Sequence, residues 1–170
     1  MPFRRYWIVG PCGSGKSTVA AAVAARLGVA PTHIDDLFWQ PGWQSVNDEQ
    51  LAARVAAVAD RDAWVIDGNY ARVRRRFFDR AEFVVWLDPP RAPTLWRLVR
   101  RCVQRAVRRE PVCNGNYESL WNQFCTRDSL LLYAWRTHRS RRVLYRHELA
   151  GRPHVRLQTP HEVRAWLATL

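Results

Sequence analysis

Gly10-Pro11-Cys12-Gly13-Ser14-Gly15-Lys16-Ser17-Thr18 is the stretch on which the fold turns. It satisfies the spacing G-x-x-x-x-G-K-[ST]. Ahead of it, Tyr6–Val9 reads as a short apolar strand. Behind it, Lys16–Leu27 reads as an alanine- and valine-rich helix stopped by Gly28. Glycines recur in such a loop because a backbone wrapping a polyphosphate must turn successive N–H groups inward, through φ values that strain other residues. The helix N-terminus adds favourable partial charge. Gly10, Pro11, Cys12, Gly13, Ser14, Gly15, Lys16, Ser17 and Thr18 are therefore expected to hold the phosphates of ATP or a related nucleoside triphosphate. Lys16 would bridge the β- and γ-phosphates, and the Ser17 hydroxyl would ligate Mg²⁺.

The 170 residues suit one domain, 1–170, with a single core. Hydrophobic residues at 48% and aromatics at 12% exclude a disordered chain. No apolar run approaches the ~20 residues that span a bilayer, and Tyr6–Val9 is too short for a signal-peptide core. The expectation is a cytoplasmic protein without a membrane partner. Cys12, Cys102, Cys113 and Cys125 form no CxxC pair and no zinc spacing, so they read as free thiols. The net charge is +12, from 26 arginines and a single lysine, Lys16. A chain that uses arginine everywhere else places its one compact ammonium in the phosphate loop, where a point charge must reach between phosphates. The charge also leaves nucleic acid open as a partner, and the sequence admits a monomer or a dimer.

Strands and helices alternate along the chain. Further strands are predicted at Thr32–Ile34, Trp64–Ile66, Phe83–Leu87 and Val155–Leu157. Helices are predicted over Glu49–Asp60 (capped by Asn47 or Asp48), Ala71–Arg80, Ala92–Arg109, Glu118–His138 continuing through Ser140–Leu149, and Pro160–Leu170. Leu37–Trp43 and Glu110–Tyr117 read as loops. This order implies a parallel sheet covered on both faces.

In such sheets the carboxyl ends of the strands line the ligand crevice. Three predicted strands end in aspartate: Asp35 with Asp36, Asp67, and Asp88. Asp67, after Val65-Ile66, is expected to organise Mg²⁺ and to face the acceptor. Asp35 is expected to bind the acceptor and orient or deprotonate it. Asp88 precedes two prolines, so a turn-and-cap role stands at least level with a role in the crevice; Asp36 reads as a solvated carboxylate. Arg97, Arg101, Arg105 and Arg109 step by four along one helix stripe. Arg101 and Arg105 are expected to touch transferring phosphate, the others to be surface. Arg72, nearest the Asp67 strand end, is expected to reach an anionic acceptor. Trp39 and Trp43 flank Pro41-Gly42, where a stacking wall for the acceptor and simple loop packing are equally admissible. Trp96, Trp121, Trp135 and Trp166 read as core or interface.

Several segments together resemble a known group: the phosphate loop, His33-Ile34-Asp35-Asp36-Leu37-Phe38-Trp39-x-Pro41-x-Trp43, Trp64-Val65-Ile66-Asp67-Gly68-Asn69-Tyr70, Val84-Val85-Trp86-Leu87-Asp88-x-Pro90-Arg91, Asn114-Gly115-Asn116-x-Glu118 and Arg139-x-Arg141. In this order they are similar to the adenylate-kinase-like proteins often labelled DNA topology modulation proteins. The resemblance implies a P-loop NTPase fold, three-layer α/β/α, with a five-stranded parallel sheet in the order 2-3-1-4-5 and a short helical lid. It also implies a nucleoside monophosphate or small-molecule kinase activity. Asp67-Gly68 looks like the Asp-Gly of adenylate kinase's acceptor-side motif, whose arginine falls one residue later here, at Arg72. The acceptor side, about residues 37–61, is short, and the lid is reduced to about residues 109–117. This compact form looks more like shikimate or gluconate kinases, whose strand-2 aspartate contacts a hydroxyl acceptor.

The expectation that follows is an ATP-dependent phosphotransferase acting on a nucleotide or small hydroxyl-bearing acceptor. A nucleic-acid-binding P-loop NTPase, a polynucleotide or RNA-end kinase and a toxin-like kinase of sugar nucleotides are the alternatives.

Overall fold

A computed structural model describes residues 2–119 and 129–170. Trp121 and Cys125, singled out above, lie outside the described residues, as does much of the helix expected from Glu118.

Strand β1 (Arg5–Val9) carries side chains alternately to two cores. Trp7 and Val9 enter one, with Ile34, Leu51, Val55, Ile66 and Phe77; Tyr6 and Ile8 enter the other, with Val19, Val23, Val65, Val85 and Leu157. A central strand buried on both faces needs this continuous apolar run rather than alternation. Each large side chain so buried contributes ~1.5–3 kcal/mol. β1 pairs in parallel with β5 (Trp64–Asp67) on one side and β6 (Phe83–Leu87) on the other. β2 (Pro31–His33) adds beyond β5 and β9 (His154–Leu157) beyond β6. The sheet runs β2-β5-β1-β6-β9. Counted among these five strands alone, that is the expected order 2-3-1-4-5.

Helices cover both faces. α1 (Lys16–Leu27) starts at Gly15 (φ 92°) and stops at Gly28 (φ 68°), whose positive φ lets its N–H reach back to Ala24 and Ala25 carbonyls. α3 (Asp48–Ala59) is capped by Asn47 in a reciprocal capping box with Gln50. α4 (Ala71–Phe77) follows β5, and α5 (Arg91–Arg108) follows β6. α6 (Leu130–Glu148) runs on through Ser140 as expected, and α7 (Pro160–Ala168) closes the described chain.

Four expectations need correction. The second strand ends at His33, so Asp35 and Asp36 sit in the first turn of the short helix α2 (Ile34–Phe38) rather than on the strand. The segment 37–43 is not all loop: β3 (Trp39–Gln40) and β4 (Gln44–Ser45) form a hairpin around a 3₁₀ turn, with Gly42 at φ 75°. The segment 110–117 likewise forms a hairpin, β7 (Pro111–Val112) with β8 (Asn116–Tyr117). Trp96 and Trp135, expected in the core or at an interface, are 67% and 50% exposed, which removes the core half of that expectation. Among the described residues no helix is long and apolar enough to cross a membrane.

Candidate functional site

The loop between β1 and α1 has the backbone its glycines predict. Gly10, Gly13 and Gly15 all have positive φ. At Gly10 an added Cβ would stand 2.5 Å from the Leu87 carbonyl oxygen, and at Gly13 2.6 Å from that of Thr94. Both neighbours are backbone and cannot yield, so glycine is required for space as well as conformation. Ser14 is buried and its Oγ has no hydrogen-bond partner among the described residues, an orphaned donor within the cradle. Lys16 Nζ donates to the Pro11 carbonyl at 3.0 Å, folding the ammonium over its own loop. Ser17 and Thr18 are exposed in the first turn of α1. These features fit a polyphosphate: positive-φ glycines, a helix N-terminus, a free hydroxyl and a nearby ammonium.

Asp67 ends β5 beside this loop, in register with Ile8 of β1 and His33 of β2. It is 5% exposed, and Oδ2 lies 2.9 Å from His33 Nδ1. Oδ1 has no partner in the protein among the described residues, which fits a carboxylate that holds metal-bound water; so does Ser17, whose hydroxyl is exposed. The hydrogen bond to Asp67 raises the His33 pKa, burial opposes it, and the Asp67, Asp36 and Asp35 charges add to the rise. A pKa raised above the ordinary 6.5 means that the charged pair contributes stability fully below that value and loses it as pH climbs through the folded pKa. The stability difference between wild type and His33→Gln, measured by denaturant unfolding, is therefore expected to be largest at acid pH and to shrink as pH rises. A difference that stays flat with pH would show that the pair carries no proton-linked stability.

Tyr70 and Cys113 gather around Asp35. The Tyr70 hydroxyl is held beside its carboxylate, and burial, then the Asp35 charge, drives the Tyr70 pKa far up, so the phenol stays protonated. Cys113 from the β7–β8 hairpin joins them, its thiol pushed up to about 12 by burial and then by Asp35 and Asp36, which leaves it unreactive. Phe38, Trp39, Trp43 and Tyr70 form a chain of ring contacts; Trp39 and Trp43 meet edge-to-face at 5.5 Å. The two indoles thus fill each other's space, and no planar ring fits between them. Asn116 fixes this turn: its Oδ1 accepts from Trp43 N at 2.8 Å, and its Nδ2 donates to Gln40 O and Cys113 O. Asn114 Nδ2 donates to Asp36 O and Trp39 O. The segment expected to be a lid is docked on the acceptor side by these two asparagines.

Other expected residues fall differently. Arg72 is 82% exposed and paired with Asp48 on α3, so it is not brought to the cleft. Arg105 donates to Glu118 at 3.0 Å, and Arg101 is half-buried with Nε unpartnered among the described residues. A cavity of about 500 Å³ adjoins them, lined by Arg105, Ala106, Arg109, Tyr117 and Glu118. Asp88 is not a cap: at 2% exposure it joins Arg142 of α6 to Arg156 of β9. Asp36 is exposed, as expected. Three residues had no assigned role in the sequence reading. Asn69 brackets Gly10 with two hydrogen bonds, Tyr145 donates to Asn69, and Arg141 stacks over and bonds Tyr133. Asn69 stands directly after Asp67-Gly68, the one local signal that could have marked it. No group of three or more His, Cys, Asp or Glu able to hold a metal occurs among the described residues.

No family model matches the chain, and no curated protein matches it in sequence. Solved structures do match. A shikimate kinase from Acinetobacter baumannii in complex with shikimate aligns with TM-score 0.63 at 19% identity, covering 99% of this chain and 90% of that one. A gluconokinase from Sinorhizobium meliloti 1021 aligns with TM-score 0.55 at 20% identity, over 98% and 92%. Deoxyadenosine kinase from M. mycoides with bound dATP aligns with TM-score 0.53 at 12% identity, over 97% and 96%. At these identities the likeness is one of fold, and the fold is that of P-loop kinases.

Proposed function

We propose that this chain is an ATP-dependent small-molecule kinase, a single domain that transfers a phosphoryl group from a nucleoside triphosphate to a hydroxyl-bearing acceptor. The observation that carries this reading is the juxtaposition at the carboxyl ends of neighbouring strands. A glycine loop with its lone ammonium, Lys16, follows β1; the neighbouring strand β5 ends in Asp67, and α2, which follows β2 on the far side of β5, carries a second carboxylate, Asp35. Shikimate, gluconate and deoxyadenosine are the hydroxyl-bearing compounds named for proteins of similar fold. The resemblance to adenylate-kinase-like DNA topology modulation proteins is kept as part of this reading.

The division of labour is as follows. Gly10 through Thr18 bind the triphosphate tail through backbone N–H groups, and Lys16 swings from Pro11 O to the terminal phosphates. Ser17 and Asp67 would hold Mg²⁺, which supplies neutralisation of phosphate charge. Asp35 accepts the proton of the acceptor hydroxyl as its oxygen attacks the terminal phosphorus and the bond to the leaving diphosphate breaks. Tyr70, kept neutral beside Asp35, would donate to its carboxylate. Trp39 and Trp43 offer an outer aromatic face to the acceptor. Arg101 and Arg105 supply cations over the transferred group, with Glu118 anchoring Arg105.

The test is a panel of nucleosides, nucleoside monophosphates, polyols, hydroxy acids and oligonucleotide 5′ ends incubated with Mg·ATP, scored by acceptor-dependent ADP release. A soluble acceptor that accelerates release is expected. Tight Mg·ATP binding with acceleration by no hydroxyl compound would overturn the kinase reading, and acceleration by oligonucleotide ends alone would transfer it to a polynucleotide kinase.

A further inference from the structure

The Asn69 carboxamide meets both polar atoms of a single loop residue. Gly10 N donates to Asn69 Oδ1 at 3.2 Å, and Asn69 Nδ2 donates to Gly10 O at 2.6 Å. The last backbone bond joining this turn to β1 is Gly68 N to Ile8 O at 3.2 Å. The Asn69 side chain thus continues the β1–β5 ladder one step further, to the residue where the chain leaves the sheet and begins the phosphate loop. A primary amide suits this place because it carries a donor and an acceptor on one planar group. Gly10 is the loop residue most in need of such fixing: its φ is 153°, and backbone of β6 closes the space beside it.

The amide is itself held. Tyr145 of α6 donates its hydroxyl to Asn69 Oδ1 at 2.8 Å, so that oxygen accepts from two donors and the orientation of the amide is fixed. Burial raises the Tyr145 pKa, which keeps the hydroxyl a donor. The Tyr145 ring is 1% exposed and lies under the Arg74 guanidinium at 4.8 Å. Arg74, equally buried, is paired with Glu148 one turn along α6. A buried series of contacts therefore runs from α4 and α6 through Tyr145 and Asn69 to the first glycine of the loop. The turn preceding Asn69 is braced as well, by Trp7 Nε1 donating to Gly68 O at 3.1 Å.

We infer that Asn69 and Tyr145 are positioning residues for the nucleotide: they set the Gly10 peptide so that the loop presents its N–H groups to phosphate before phosphate arrives. The inference rests on the nucleotide-binding reading above. It implies that triphosphate affinity, rather than acceptor affinity, depends on a side chain from the turn after Asp67 and on one from α6. Misplacing pre-aligned donors costs up to about 10²-fold.

Asn69→Asp is the sharp probe, because it keeps the shape but sets a carboxylate oxygen against the Gly10 carbonyl. Once protonated, the introduced carboxyl recovers both a donor and an acceptor. Binding of Mg·ATP and of inorganic tripolyphosphate would be titrated by calorimetry from pH 8 down to pH 5 for wild type, Asn69→Asp and Tyr145→Phe, with melting temperatures alongside. The expected result is weakened binding of both probes by Asn69→Asp, recovering as pH falls relative to wild type at each pH, and a smaller, pH-independent loss for Tyr145→Phe. Wild-type affinity in both folded variants, with only melting temperature lowered, would overturn the inference. Wild type that binds neither probe would instead overturn the nucleotide reading beneath it. Should Asn69→Asp fail to fold, Tyr145→Phe decides alone: reduced affinity supports the inference and unchanged affinity sinks it.

Discussion

Lys16→Met is expected to reduce ATP-dependent turnover by at least ~10²-fold, and Lys16→Arg is expected not to restore it. The ammonium is the only lysine in the chain and its bond is to Pro11 O of its own loop at 3.0 Å. Nothing in the protein core depends on that bond, so both variants should fold and melt near the wild type. What they lose is a mobile point charge, able to leave a loop carbonyl and settle between two phosphates as charge develops on the transferred group. A guanidinium restores the charge but not the compact shape: it is planar, broader and directs its donors in a fixed fork. The measurement is acceptor-dependent ADP release at saturating acceptor, with circular dichroism as the folding control. Full activity in Lys16→Arg would show that charge alone suffices, and full activity in Lys16→Met would remove the lysine from the chemistry altogether.

How far the fold could be read from sequence depended on the range of the interactions involved. The phosphate loop and the parallel sheet follow from local patterns: apolar runs of strand length, glycines at fixed spacing, and aspartate at the end of β5; the order of the strands came from the family resemblance, not from periodicity. The α3 cap was narrowed to Asn47 or Asp48 for the same reason, and the capping box with Gln50 selects Asn47. The failures share a different physics. Arg72 was placed by its nearness to Asp67, yet α4 buries Val73, Arg74 and Phe77 and turns Arg72 outward to Asp48. The i, i+4 pair Val73 and Phe77 was the signal that set this phase. The hairpin that carries Trp39 and Trp43 has two-residue strands, too short for any periodicity, and is held by Asn116 from 73 to 76 residues away. Asp88 resembled a turn residue because it precedes two prolines; its partners, Arg142 and Arg156, become visible only when α6 and β9 pack beside β6.

The candidate site divides along the same line. The half proposed to hold phosphate is one contiguous stretch, so its loop geometry could be anticipated from the glycine spacing alone. Its acceptor half is assembled from α2, the turn after β5 and the β7–β8 hairpin, so Tyr70 and Cys113 could not be joined to Asp35 in advance. The arginines show the contrast within one helix. The step of four along α5 was visible, but that Arg105 among them carries an ion pair depends on Glu118, which lies beyond the helix end.

Asp35→Asn is expected to lower kcat for phosphoryl transfer by ~10²–10⁴-fold while leaving Mg·ATP affinity unchanged. Asp35 lies in α2, beyond the end of β2, and makes no bond to the phosphate loop among the described residues, so the nucleotide half of the site has no route to sense the change. The carboxamide keeps the size of the carboxylate and still offers an oxygen to the Tyr70 hydroxyl, so the aromatic surround from Phe38 to Tyr70 should stand. What disappears is the capacity to take a proton from an attacking hydroxyl. Tyr70 cannot stand in, since burial and the neighbouring charge hold its phenol protonated, and the thiol of Cys113, at about 12, is equally unsuited to act as a base. Asp36→Asn serves as the control: Asp36 is exposed, as Asp35 is, but its contact to the hairpin runs through its backbone carbonyl, which the substitution leaves intact. Turnover should therefore separate two adjacent aspartates of the same helical turn. Equal losses in both variants would mean that Asp35 acts only by adding negative charge to the acceptor side, and an undiminished kcat in Asp35→Asn would require the proton to leave by a route that none of the residues gathered around Asp35 provides.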